Sequence, residues 1–146
     1  MEITTRMEFD SGHRIPNHKS TCRNLHGHRY ALEVTIVGDI IDQEDISDFG
    51  MVMDFKDAKN LIKKVIVDEW DHAFIVFERD LEVIDFLNSL KDHKTVILKR
   101  VPTAENMAVT ALELLTIAFK KEFGKTIRPI KVSLYETPNN WADARI

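Results

Sequence analysis

A chain of 146 residues, 44% of them hydrophobic, is long enough for one ordinary core and too short for two, so a single domain over residues 1–146 is expected. Its 20 basic and 24 acidic residues leave a net charge of -4, without the basic excess that drives nucleic-acid binding. One cysteine excludes an intramolecular disulfide, no apolar run approaches the roughly 20 residues of a membrane span, and the start Met1-Glu2-Ile3-Thr4-Thr5-Arg6 carries no leader pattern; a cytoplasmic location is expected.

The first element is a strand over Glu2 to Phe9, and the second alternates Tyr30, Leu32, Val34 and Ile36 against their neighbours up to Val37. His26 and His28 continue the face of Tyr30. Between the strands, Arg14 to Asn24 reads as a long loop, a length that usually serves function in a small domain. Asp54 caps a helix whose apolar positions Phe55, Ala58, Ile62, Val65 and Ile66 recur at helical spacing to about Trp70. Leu81, Ile84, Leu87 and Leu90 predict a shorter helix, and Thr95 to Leu98 a short strand. Pro102-Thr103 opens a long helix that runs to Gly124, and Ile127 to Glu136 is the last strand. This order predicts an α+β domain: a four-stranded antiparallel sheet with helices on one face, its exposed edge hidden in a homo-oligomer.

The segment Cys22-Arg23-Asn24-Leu25-His26-Gly27-His28, preceded by His13, carries the strongest chemical signal. Histidines at i and i+2 share a strand face, and Gly27 lets the backbone run close to a metal. Three imidazoles leave a fourth zinc position open, as in catalytic sites. Cys22 has two readings, a fourth zinc ligand or a free thiol, and a free thiol needs a partner for its proton. Asp71-His72, at the end of the first helix, supplies a carboxylate beside an imidazole. His18 and His93 lie outside this pattern and are expected to contact solvent.

Two further carboxylates stand near element ends. Glu105 falls in the first turn of the long helix behind the cap Thr103, where the dipole alone justifies an acid. Glu136 extends the face of Ile130, Val132 and Leu134 at a strand end, where it can accept two parallel hydrogen bonds from a flat, amidine-like ring edge.

Taken together, these segments resemble the family of 6-pyruvoyl-tetrahydropterin synthases and 6-carboxy-tetrahydropterin synthases. The likeness spans nearly the whole chain and rests on Phe9-Asp10-Ser11-Gly12-His13-Arg14, the Cys22 to His28 segment and Gly50-Met51-Val52-Met53-Asp54-Phe55. It continues through Trp70-Asp71-His72-Ala73, Pro102-Thr103-Ala104-Glu105-Asn106 and Tyr135-Glu136-Thr137-Pro138. The resemblance implies the tunnelling fold, whose subunits join their sheets into a barrel, trimer-based and in some cases hexameric, with pterin pockets at subunit interfaces. It also implies zinc on His13, His26 and His28, proton transfer by Cys22 with Asp71 and His72, and a pterin held by Glu136, Glu105 and Thr103.

The implied substrate is 7,8-dihydroneopterin triphosphate. Its internal redox tautomerisation needs no electron carrier, in keeping with the lack of a glycine-rich dinucleotide fingerprint. A lysine or arginine is expected to meet the triphosphate, and Lys19, Arg23 and Arg29 are the candidates. Three residues between Cys22 and His26 resemble the 6-carboxy branch, which serves queuosine-type deazapurine synthesis and releases acetaldehyde; a longer spacer resembles the 6-pyruvoyl branch. Departures are Arg23, where a small residue is common, and an ending without the usual aromatic close. The competing readings are the 6-pyruvoyl product, a non-catalytic zinc or pterin-binding module, and a zinc hydrolase that would not need Glu136.

Overall fold

Strands β1 (Glu2–His13) and β2 (His26–Val37) pair antiparallel along their full length, with Glu2 opposite Val37 and His13 opposite His26. These are features of a computed structural model that describes residues 1–146. Both strands reach past the expected bounds, so the histidines belong to the ladder. Tyr30, Leu32, Val34 and Ile36 of β2 are fully buried, as alternation requires of a strand with one face on the core. Burying Leu32, Val34 or Ile36 contributes about 1.5–3 kcal/mol relative to exposure.

Helix α1 (Phe55–Ile62) begins where the Asp54 carboxylate accepts the Lys56 N–H at 2.8 Å. It runs on through a π-helical stretch, Lys63–Val67, to a last turn, Asp68–Trp70. Ala58, Ile62, Ile66 and Trp70, spaced by four, are all buried. The wider π turn keeps that spacing on the core side. Phe55, expected on the apolar face, is instead half exposed at the first position of the helix.

Strand β3 (Ala73–Phe77) leads to α2 (Leu81–Ser89), whose Val83 and Leu87 form a small cluster with Val76. Asp80, buried at the start of α2, is clamped by Arg14, whose Nε donates to it at 2.6 Å. After β4 (Thr95–Leu98) comes α3 (Ala104–Phe123), where the Thr103 hydroxyl accepts the Asn106 N–H at 3.3 Å. Gly124 ends α3 with φ +76°, a conformation that costs glycine no Cβ clash. Met107, Ala108, Ala111, Leu112, Leu115 and Phe119 bury one face of α3 against β5 (Arg128–Thr137) and β6 (Asn140–Arg145).

The sheet has six strands in the order β4-β3-β1-β2-β5-β6, not the four expected, and it is mixed: β3 lies parallel to β1, and β4 parallel to β3. Ala73-Phe74-Ile75-Val76-Phe77 is an unbroken apolar run directly behind a helix, where periodicity cannot separate strand from helix. The strand β6 follows Pro138-Asn139, which lacks the glycine that signals a tight hairpin. No helix is long and apolar enough to cross a membrane.

Candidate functional site

At one end of the β1–β2 ladder, His13 faces His26, and His28 follows on the same face of β2. The His13 ring lies 4.5 Å from that of His26 and 5.2 Å from that of His28. One ligating nitrogen of each lies within 4.8 Å of the other two. The strands come this close because Gly27 has no Cβ; one added there would sit 2.9 Å from the Ser11 carbonyl oxygen.

Two backbone carbonyls set the ring tautomers. His13 Nδ1 is 2.7 Å from the Pro102 oxygen and His26 Nδ1 is 2.7 Å from the Asn24 oxygen. A carbonyl only accepts, so both Nδ1 atoms carry the proton and both Nε2 atoms present a lone pair. Burial holds His13 and His28 below the ordinary imidazole pKa, against the opposing pull of Glu136, so the neutral, ligating form is favoured. The Nε2 atoms of His13 and His28 are buried with no hydrogen-bond partner, at a cost of about 1–3 kcal/mol each that an ion would remove. These three side chains can hold a metal ion, and imidazole donors suit zinc.

Glu136, near the end of β5, places its carboxylate oxygens 3.9 Å from His13 Nε2 and 3.7 Å from His28 Nε2. It also lines a cavity of about 320 Å³ that Cys22, Thr103, Glu105, His18 and Trp141 share. Cys22 reaches this cavity from a single 3-10 turn, Thr21–Arg23, in a loop closed by the Ile15 N–H donating to the Cys22 carbonyl at 2.8 Å.

Asp71 and His72 are bound to each other and to β1. The Asp71 carboxylate accepts the Asp10 N–H at 2.9 Å and lies 2.8 Å from His72 Nδ1, while the His72 N–H donates to the Asp10 carbonyl at 2.7 Å. These bonds keep His72 at φ +57°, a strained value for a residue with a Cβ. The backbone hydrogen bond from Asp10, more than the His72 ring, keeps the Asp71 carboxyl below its usual range. The His72 side chain is 78% exposed and lines a second cavity, of about 510 Å³, with Asp10, Gly12, Gly27, His28 and Arg29.

Thus one chain gathers Cys22, Thr103, Glu105 and Glu136 around one cavity, beside the histidines, and does not bring His72 into it. Arg29 is taken up by Glu8 at 2.9 Å and Asp10 at 3.2 Å, whereas Lys19 and Arg23 are exposed on the Cys22 loop. His18, expected in solvent, lines the Cys22 cavity, and no periodicity could have found it because it lies in the loop. Tyr30 reads as a plain strand residue, yet its ring lies edge-on to His13 and His28 and its hydroxyl is buried without a partner.

A family profile described as 6-pyruvoyl tetrahydropterin synthase matches residues 2–146. A 6-carboxy-5,6,7,8-tetrahydropterin synthase of Rickettsia bellii (strain RML369-C) is 39% identical over 140 residues, covering 95% of this chain and 96% of the relative. One from Haemophilus influenzae (strain ATCC 51907 / DSM 11121 / KW20 / Rd) is 35% identical over 145 residues, covering 97% and 96%. Among solved structures, 6-pyruvoyl tetrahydropterin synthase from Plasmodium vivax superposes with a TM-score of 0.72 at 23% identity, covering 100% of this chain and 98% of that one. An uncharacterised protein from Wolinella succinogenes gives 0.79 at 23% identity, covering 99% and 97%. The α+β fold class implied by the motifs is that of the chain, with six strands in place of four. Because the profile and these relatives span nearly every residue described above, the chain belongs to the 6-pyruvoyl tetrahydropterin synthase family.

Proposed function

We propose that the chain is a zinc-dependent carbon-oxygen lyase that converts 7,8-dihydroneopterin triphosphate to 6-carboxy-5,6,7,8-tetrahydropterin. Triphosphate and acetaldehyde leave, one water supplies the second carboxyl oxygen, and the ring gains the two electrons that the side chain gives up. The observation that carries this reading is the convergence of three imidazoles, a thiol and two carboxylates at one end of the sheet. The name shared by relatives at 35–39% identity and the three-residue spacer from Cys22 to His26 support the 6-carboxy product.

His13, His26 and His28 would hold the zinc, which when bound lends Lewis acidity to the side-chain hydroxyls and the adjacent carbon. Glu136 accepts two N–H bonds from the pterin edge, and Glu105 and Thr103 line the same pocket. Cys22 exchanges a proton with the substrate side chain. Asp71 takes the Nδ1–H of His72 and so leaves His72 Nε2 free to receive or return that proton.

His72 and Cys22 line separate cavities in one chain, and β4 and β6 are sheet edges; both facts support a homo-oligomer, trimeric or doubled to a hexamer, in which one copy's His72 serves another copy's Cys22. The rival product is 6-pyruvoyl-tetrahydropterin, favoured by the description of the matching family profile. Incubating the zinc-loaded protein with the substrate and reading product mass and acetaldehyde separates the two. A pyruvoyl product without acetaldehyde overturns the 6-carboxy assignment.

A further inference from the structure

The turn between α1 and β3 holds its central peptide in a strained orientation. The Asp71 N–H still donates to the Val67 carbonyl of the helix at 2.8 Å, but Asp71 leaves the helix with φ -65° and ψ 131°, and His72 follows at φ +57°. These angles follow the type II turn, whose second central position favours glycine because a Cβ is crowded there. Rotating the Asp71–His72 peptide by half a turn would make Asp71 helical and return His72 to negative φ, the unstrained type I arrangement. Something must hold the peptide against that rotation.

Both of its polar groups are held. The His72 N–H donates to the Asp10 carbonyl at 2.7 Å, and on the other side the Asp71 carbonyl accepts from Lys94 Nζ at 2.6 Å. The same ammonium donates to the Asp68 carbonyl, in the last turn of α1, at 2.6 Å. Lys94 is itself anchored, because its carbonyl accepts the Phe74 N–H at 3.0 Å where β4 begins beside β3. A lysine beside the last carbonyls of a helix also fits a plain C-terminal cap. The Asp68 carbonyl belongs to that role, whereas the Asp71 carbonyl lies beyond Trp70, the last helical residue, and is half of the strained peptide.

We propose that Lys94 is a positioning residue for His72: by holding the Asp71 carbonyl it keeps this peptide from rotating and so fixes the direction in which the imidazole leaves the turn. This rests on the reading of His72 as a proton carrier. Lys94 exchanges no proton and touches no substrate. Its effect passes through the backbone, from which the His72 Nδ1 meets the Asp71 carboxylate at 2.8 Å.

Two substitutions separate this role from a helix cap, both in the full-length, zinc-loaded protein. Lys94→Met keeps the stem and removes the ammonium; Lys94→Arg keeps a cation with N–H donors. Backbone hydrogen exchange, resolved to single amides by mass spectrometry, needs no pterin. In Lys94→Met the His72 amide should exchange about tenfold faster, the loss expected for one hydrogen bond to a charged group. The kcat for the pterin triphosphate should fall on the order of tenfold through misalignment of the ring, with KM and zinc content unchanged. Lys94→Arg should recover both values. Exchange of the His72 amide at the wild-type rate in Lys94→Met overturns the proposal. So does faster exchange confined to Asp68–Trp70 with kcat unchanged, which leaves Lys94 as a helix cap alone. A wild type that turns over no pterin triphosphate would sink the proposed function, while His72 exchange in Lys94→Met still decides whether Lys94 holds the peptide.

Discussion

The cavity at Cys22 and the cavity at His72 lie at the same end of the sheet, yet they are built to different rules. The first is walled by a loop, a helix start and two strand ends, and its Glu136 reaches His13 and His28. The second is floored by Gly12 and Gly27 of β1 and β2, and its histidine projects outward with 78% of its side chain exposed. A strained, hydrogen-bonded but solvent-facing histidine is a costly arrangement for a surface residue. The difference teaches that one chain by itself holds the thiol and the strained histidine apart, the separation on which the proposed sharing between copies rests.

The largest expected effect comes from the histidines that stand beside both cavities. His13→Ala removes the most buried imidazole, and turnover should fall by at least about a thousandfold, the loss expected when Lewis-acid help of several kcal/mol disappears. Zinc content measured by mass spectrometry should fall with it; a variant that loses zinc and keeps its rate would break the metal assignment.

Next come the two cavities themselves. Cys22→Ala and His72→Ala should each retain zinc and each lose on the order of a hundredfold or more in rate, the usual worth of a proton-transfer group. Mixed oligomers of the two variants should regain activity, since a copy with intact Cys22 can meet a copy with intact His72. Absence of any recovery would show that the groups act within one chain. Asp71→Asn should cost less, about tenfold, by loosening the ring orientation of His72 while its backbone bond to Asp10 remains.

The smallest effect is that of pH on stability. His13 and His28 have folded pKa values below the unfolded value of about 6.5, so the unfolded chain binds more protons between the two. Stability of the metal-free protein is then complete above that pH and declines as pH falls through it. Asp71, whose carboxyl is held low, contributes above its unfolded value and is lost only under more acid conditions. Thermal melts between pH 7.5 and 5 should fall for the wild type and flatten in a His13→Ala, His28→Ala double variant.

Much of the fold could be read locally. Strand β4, the short helix α2 and the long helix α3 lie within a residue or two of their expected bounds, because alternation, helical spacing, the Thr103 cap and Gly124 act over a few residues. Strands β3 and β6 were not legible: one is an apolar run without alternation, the other follows a turn without glycine. At the site, the shared face of His26 and His28 was legible in the same way, whereas the placement of His18 was not.

The sequence by itself determined which residues alternate, which cap and which imidazoles share a face, since each of these depends on neighbours a few positions apart. Only the tertiary structure decided that β3 runs parallel to β1, that the Pro102 carbonyl sets the tautomer of His13, and that His18 joins Cys22 while His72 does not. Those outcomes depend on partners as many as 89 positions away, brought into register by burial of the common core, and no local pattern encodes which distant backbone group will arrive at a given side chain.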